Sequence, residues 1–262
     1  MALSVETCVA RHQGDRREQQ DRVEIFGHPT MGGMMMAVLA DGMGGHSGGA
    51  MAAEQVLLKA RQNFEMYAPR SETPDHLLKE IIEEAHLVIK LTRFTSEKDP
   101  HSTAVVLLLQ PGRIDWAHCG DSRLYYFRQG QLVSKTEDQS LVEQLVRKGV
   151  ISAEAAMDHP HRNVLLSCLG ADNPPKVIHD KVGELRAGDA FLLCSDGLWA
   201  YFDDAELGRT LNSFPPRVAA EHLIGLARER AEGEGDNISV AIVKLVEVPA
   251  QAKPGIAPRT GR

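Results

Sequence analysis

Cysteine is scarce in this chain, with only Cys8, Cys119, Cys168 and Cys194 in 262 residues, and none in a C-x-x-C spacing. That argues against a zinc site or a disulfide framework and for a reducing, cytoplasmic compartment. Cys8, Cys119 and Cys194 fall in apolar, strand-like runs, where a free thiol behaves as a small hydrophobe. No apolar run approaches the roughly 18 residues that a membrane helix needs. The opening MALSVETCVARHQGDRR has no signal-peptide core, so no membrane is expected. Positive charge is not in excess either. A net charge of −7 argues against a nucleic-acid binder working through a basic face.

What is present reads as one globular domain over residues 1–248, with no repeat and no linker. Short β-rich runs come first (LSVETCVARH, RVEIFGH, MMMAVLA). Two helical stripes follow, Ala50–Tyr67 and Leu77–Phe94, the second carrying Leu77, Leu78, Ile81, Ile82, Ala85, Val88 and Ile89 on one face. Strands then return as TAVVLLLQ, RIDWAHCG, SRLYYFRQ and QLVSK. The links PG, GD and QG are too short for crossover helices and predict antiparallel hairpins. Between 137 and 170 the pattern changes to a helix stopped by Gly149 and another capped by Ser152. Two strands, a helix over PPRVAAEHLIGLARERAEG and the strand ISVAIVKLVEV close the domain. Residues 249–262 carry no apolar period, and the tail is expected to be disordered. Helices in blocks between blocks of antiparallel strands predict an α+β fold, with sheets packed on each other and helices outside.

The chemistry concentrates at acids that end apolar runs: Asp41 in VLADGMGGHSGG, Asp121 in HCGDS, Asp196 in FLLCSDG and Asp236 in GEGDN. Asp21, in RREQQD, makes a fifth. Any one Asp-Gly pair after a strand is explained by a turn. Several at one rim would repel one another unless a cation neutralised them. With oxygen donors and no converging Cys or His, that cation is a hard ion, Mg²⁺ or Mn²⁺. A phosphate cradle fits worse, since GMGGHSGG lacks the Lys-Ser/Thr of a P-loop and offers G-x-G-x-x-G only with Ser47 in place of the last Gly. The bare residues after Asp41 are then read as giving access to a metal.

DGMGGH, GDSRLYYF, SDGLW and GDNISVAIV, in that order and spacing, resemble the metal-dependent Ser/Thr protein phosphatases (the PPM, or type 2C, family) in their bacterial form, from Val5 to Val246. The segment 137–170 is similar to that family's flap. The resemblance implies a four-layer α-β-β-α sandwich, two mainly antiparallel sheets flanked by helix pairs, with a dinuclear Mn²⁺ or Mg²⁺ centre at one end. It implies that Asp41 bridges both metals, that the Gly42 carbonyl binds one of them, and that Asp196 and Asp236 complete the other. Asp21 would orient a metal-bound water, Asp121 with Asp196 would hold a third, weaker ion, and Arg16 would grip the substrate phosphate. Two positions depart from the family: Gln19 stands where Asn is common, and Met43 stands where eukaryotic members carry a His assigned as general acid.

The activity so implied is hydrolysis of phosphoserine and phosphothreonine on proteins, reversing a Ser/Thr kinase, by a cytoplasmic monomer. The missing C-x5-R cysteine motif fits a reaction without a covalent intermediate. A phosphatase-like binding module without turnover, and a hydrolase of other phosphate esters, remain as alternatives. His46 is read as a helix-entry residue, His118 as a packed strand residue, His159 and His161 as flap residues, and Arg17 as a fallback phosphate binder. The acids Glu80, Glu83 and Glu84 are read as solvated surface.

Overall fold

A computed structural model describes residues 3–44, 48–93 and 99–248. The expectations for His46, Phe94 and the tail 249–262 lie outside the described residues. In chain order the elements are β1 (Leu3–His12), β2 (Arg22–Gly27), β3 (Met35–Ala40), β4 (Gly42–Met43), α1 (Gly48–Met66), α2 (Pro74–Arg93), β5 (His101–Ser102), β6 (Ala104–Gln110), β7 (Arg113–Cys119), β8 (Arg123–Arg128) and β9 (Gln131–Lys135). They continue as α3 (Leu141–Arg147), α4 (Ala153–Met157), β10 (Ile178–Gly183), β11 (Asp189–Cys194), α5 (Asp196–Trp199), α6 (Asp204–Ser213), α7 (Pro216–Arg230) and β12 (Ile238–Glu247).

Ten of the strands form two antiparallel five-stranded sheets, ordered β1-β12-β11-β8-β9 and β10-β7-β6-β3-β2. Why the central strands are apolar on every residue follows from their two-residue period. In β3, Met36, Val38 and Ala40 meet α1 and α2, while Ala37 and Leu39 meet the opposite sheet. In β11, Ala190, Leu192 and Cys194 meet the layer of α6 and α7, while Phe191 and Leu193 face inward. Both faces of both sheets are therefore buried, each large side chain contributing roughly 1.5–3 kcal/mol. The result is the expected α+β, four-layer α-β-β-α sandwich.

Two expectations need correction. The GD link does not close a hairpin: β7 lies in one sheet and β8 in the other. Gly120, at a φ of +107° that favours glycine, turns the chain out of its sheet there. A Cβ at Gly120 would stand 2.7 Å from Thr103 Cγ2, so the corner packs too tightly for a side chain. The PG and QG links do close hairpins, β6–β7 and β8–β9. The sequence reading also passed over α6, a short helix capped by the Asp203 side chain, which accepts from the Glu206 N–H.

In the segment 137–170, Ser140 and Ser152 cap α3 and α4 through their side chains, and neither helix buries a residue. The segment returns on itself where Ser140 bridges Leu165, and its end is tied to β5 where Leu169 bridges Ser102.

Candidate metal centre

The five aspartates arrive at one end of the sandwich from different directions. Asp21 precedes β2 and Asp41 follows β3 in one sheet; Asp196 follows β11 and Asp236 precedes β12 in the other; Asp121 rides the corner between the sheets. Asp21 is buried, at 1 % exposure, whereas the other four are half-buried and border solvent.

Asp41 is pinned through its backbone. Its N–H donates to Thr103 Oγ1 at 2.9 Å, and its carbonyl accepts from the Thr103 N–H at 2.9 Å and from Ser102 Oγ at 3.0 Å. Thr103 Oγ1 also lies 2.7 Å from Ser122 Oγ, which ties the Asp121 corner to the Asp41 strand end. Opposite, Ser195 Oγ donates to Asp21 Oδ2 at 2.8 Å and accepts from the Ser239 N–H at 3.0 Å. Asn237 binds the 13–20 loop to this side: its Oδ1 accepts from the Gln20 N–H at 2.7 Å, and its Nδ2 donates to the carbonyls of Gln13 and Glu18. Gln19, the residue that departs from the family pattern, braces the same loop. Its Oε1 accepts from the Asp21 N–H and its Nε2 donates to the His12 carbonyl, both at 2.9 Å.

The glycines have a reason besides access. A Cβ at Gly42 would fall 2.1 Å from the Gly49 carbonyl oxygen and 2.7 Å from that of Gln20. A Cβ at Gly197 would fall 2.2 Å from the carbonyl oxygen of Asn237. Backbones cross here at distances that only glycine permits. The Gly42 carbonyl lies against Gly49 at the start of α1.

Like charges dominate the electrostatics. Burial pushes the Asp41 carboxyl well above its usual range, and the charges of Asp21, Asp196, Asp121 and Asp236 push it further. Asp196 is raised well above its usual range by burial and then by Asp121, Asp236 and Asp21. Burial lifts Asp21 to about 6 despite the Ser195 hydrogen bond, and lifts Asp121 to about 7 with help from Asp138. Such a cluster holds its charges at neutral pH when a cation shares them. Among the described residues, no three of these acids offer oxygens all within 4.8 Å of one another; the group that does, Glu72–His76–Glu80, lies on the surface. The acids thus line a space wider than the shell of one ion, and their donors are all oxygens, the chemistry of a hard cation.

Arg16 is at the site but turned to the protein, with Nη2 donating to Asp236 Oδ2 at 2.5 Å. The other Asp236 oxygen accepts from the Asn237 N–H at 2.7 Å. Arg17 is exposed. Met43, in β4, pairs across to His101. His118 is a buried strand residue whose Nε2 lies 3.0 Å from the Glu137 carbonyl, and His159 and His161 belong to the segment 137–170. Glu83 is exposed, Glu80 half-buried, and Glu84 is paired with Lys59 and Asn63.

The sequence reading named the acids and missed what holds them. Ser195 and Asn237 stand inside the motifs and could have been found by asking which neighbours of each Asp carry hydrogen-bonding groups. Ser102 and Thr103 lie in DPHSTAV, which carries no such signal.

Residues 10–230 match the family model described as Protein phosphatase 2C. The chain is 34% identical over 215 residues to the serine/threonine phosphatase stp of Listeria innocua, covering 80% of this chain and 84% of that one. It superposes on the S. agalactiae serine/threonine phosphatase with a TM-score of 0.83 and 31% identity, over 93% of this chain and 100% of that one. It superposes on the catalytic domain of the serine threonine protein phosphatase PstP in complex with 2 manganese ions with a TM-score of 0.78 and 27% identity, over 94% of this chain and 100% of that one.

Proposed function

Because the chain belongs to the protein phosphatase 2C family, we propose that it hydrolyses phosphoserine and phosphothreonine monoesters on proteins, in a single domain over residues 1–248. The observation that carries the reading is the arrival of Asp21, Asp41, Asp121, Asp196 and Asp236 at one end of the sandwich from both sheets. Two Mn²⁺ or Mg²⁺ ions would be held by Asp41, the Gly42 carbonyl, Asp196 and Asp236, and Asp121 with Asp196 would hold a third, weaker one. When bound, these ions supply Lewis-acid charge for the phosphoryl oxygens and a water of lowered pKa.

Phosphate monoesters are among the slowest of all substrates to hydrolyse unaided, needing accelerations up to ~10²¹, so each protein group has a share to supply. Arg16 exchanges its contact with Asp236 for the non-bridging phosphoryl oxygens, where its planar fork gives two charge-assisted hydrogen bonds. Asp21, kept in place by Ser195 and by Gln19 on its own N–H, orients the attacking water in line with the scissile bond. Met43 has no proton to give, so the leaving alkoxide takes its proton from water or another group at the rim. The segment 137–170, exposed and tied down at its base, is read as the flap over the substrate.

We also place the protein in the cytoplasm as a monomer that opposes a Ser/Thr kinase. In support, its four cysteines are free, and no helix among the described residues is long and apolar enough to cross a membrane. Retention of all five acids counts against a binding module without turnover. Hydrolysis of a phosphothreonine peptide tests the reading: it should require Mn²⁺, stop with EDTA, and vanish in Asp41→Asn and Asp196→Asn. A folded, metal-loaded wild type that leaves the peptide intact, or prefers nucleotides, would refute it.

A further inference from the structure

Asp121 and Asp196 both overhang the sheet that should fix them. The last registered pair between β8 and β11 is Arg123 with Cys194. Each aspartate lies two residues beyond that pair, at the same end of two antiparallel strands, where ladder hydrogen bonds no longer set their separation. Gly120 is held to Gln139 through backbone and side chain, and Ser122 is held to Thr103, so these neighbours of Asp121 are fixed toward other parts of the molecule. The tie from Asp121 itself to the segment carrying Asp196 is a side chain. Trp199, at the far end of α5 from Asp196, donates its indole Nε1–H to the Asp121 carbonyl at 3.0 Å.

The indole is itself immobilised. The Arg123 guanidinium lies over its ring, 3.6 Å from the centroid, a contact that adds attraction to packing. Arg123 in turn is gripped by Asp138 through two hydrogen bonds of 2.8 Å and donates to Tyr125 Oη at 2.9 Å. A rigid platform of Asp138, Arg123 and Trp199 thus ends in one hydrogen bond to the backbone of a proposed metal ligand.

We propose that Trp199 is a positioning residue: it sets the spacing of Asp121 and Asp196, and with it the affinity of the ion they share. This rests on the proposed function, in which those two carboxylates hold the weaker ion. Groups that orient metal ligands from outside typically change affinity 10–100-fold when removed. Trp199 acts on a ligand's backbone rather than its carboxylate, which puts the expected effect at the low end of that range.

Calorimetric titration of the full chain with Mn²⁺ tests it, on the wild type, Asp121→Asn, Trp199→Phe and the core variant Leu78→Ala. Trp199→Phe keeps a ring for Arg123 to stack on and removes the N–H. It should weaken the weakest Mn²⁺ event about 10-fold and leave the tighter events within about 2-fold, whereas Asp121→Asn should abolish that weakest event. Leu78→Ala, destabilised in the core under α2 and away from the site, should leave the isotherm unchanged. Loss of the event in Asp121→Asn with no change in Trp199→Phe would overturn the positioning role alone. An unchanged isotherm in Asp121→Asn would overturn the shared-ion reading and the proposal with it. Equal weakening of every event in Trp199→Phe would make the indole a structural residue and refute the proposal. Should Trp199→Phe fold poorly, Arg123→Lys, which loses the fork and the planar stack, carries the same expectation and the same refutations.

Discussion

Replacing Asp21 by Asn should make the metal-free protein more stable while damaging its chemistry. Asp21 is 1 % exposed, and its carboxyl is lifted from 3.8 to about 6. At about 1.4 kcal/mol per pKa unit, keeping it ionised in the folded state costs about 3 kcal/mol. Because the folded pKa is the higher one, the folded state binds more protons than the unfolded chain between pH ~4 and ~6. The cost is therefore absent below pH ~4, grows as pH rises through that window, and is complete above pH ~6. Asn keeps the shape: its carbonyl accepts from Ser195 Oγ, and its amide can donate to the Asp41 carboxylate beside it. Melting with EDTA present should show Asp21→Asn about 6–12 °C above wild type at pH 7.5, taking about 2–4 °C per kcal/mol for a chain of this size. The gap should close at pH 4. It should also narrow in saturating Mn²⁺, because bound cations offset the cost of an ionised carboxylate that is buried and near other acids. A variant no more stable than wild type at pH 7.5, or equally advantaged at pH 4, would refute the idea that like-charge crowding and burial govern this residue.

Other outcomes follow from the same geometry. Arg16→Gln should lower kcat/KM on a phosphopeptide about 10²–10⁴-fold through the loss of two charge-assisted hydrogen bonds, each worth about 1.5–3 kcal/mol. Because Asp236 is freed, the same variant should bind Mn²⁺ no more weakly than wild type, and weaker binding in a calorimetric titration would contradict the placement of Arg16. Ser195→Ala removes the hydrogen bond that holds the Asp21 pKa down, so the acid limb of the kcat/KM–pH profile should move to higher pH; an unmoved limb would separate Asp21 from the reaction. Gly42→Ala, with its Cβ 2.1 Å from a backbone oxygen, should lose Mn²⁺ binding in calorimetry even where circular dichroism shows a retained fold.

The sequence was most informative where a physical period or a charge had to be satisfied. Continuous apolar runs such as AVVLLLQ announced strands buried on both faces, and the α2 stripe from Leu77 to Ile89 is buried nearly as read, with Val88 at its margin. The acids were legible because an Asp at the end of a buried strand is costly without a partner. Long-range ties were not: nothing near Thr103 in the sequence says that its hydroxyl serves both Asp41 and Ser122. The GD link misled because link length distinguishes a hairpin from a crossover helix but not from a sharp step between sheets, which depends on how Gly120 packs against Thr103. Helix α6 escaped because its apolar residues, Leu207 and Leu211, are few and its cap is one Asp among several.

The proposed ligand set is divided between two stacked sheets, which has a mechanical implication. Asp21 and Asp41 move with one sheet, Asp196 and Asp236 with the other, so the catalytic end works as a caliper whose jaws are held at a separation set by the side chains packed between them. Ala37 and Ala241, both fully buried in that inner layer, keep the jaws near their working gap. Substitutions there that a stability assay would score as tolerable will be scored by the metal ions as a change of gauge.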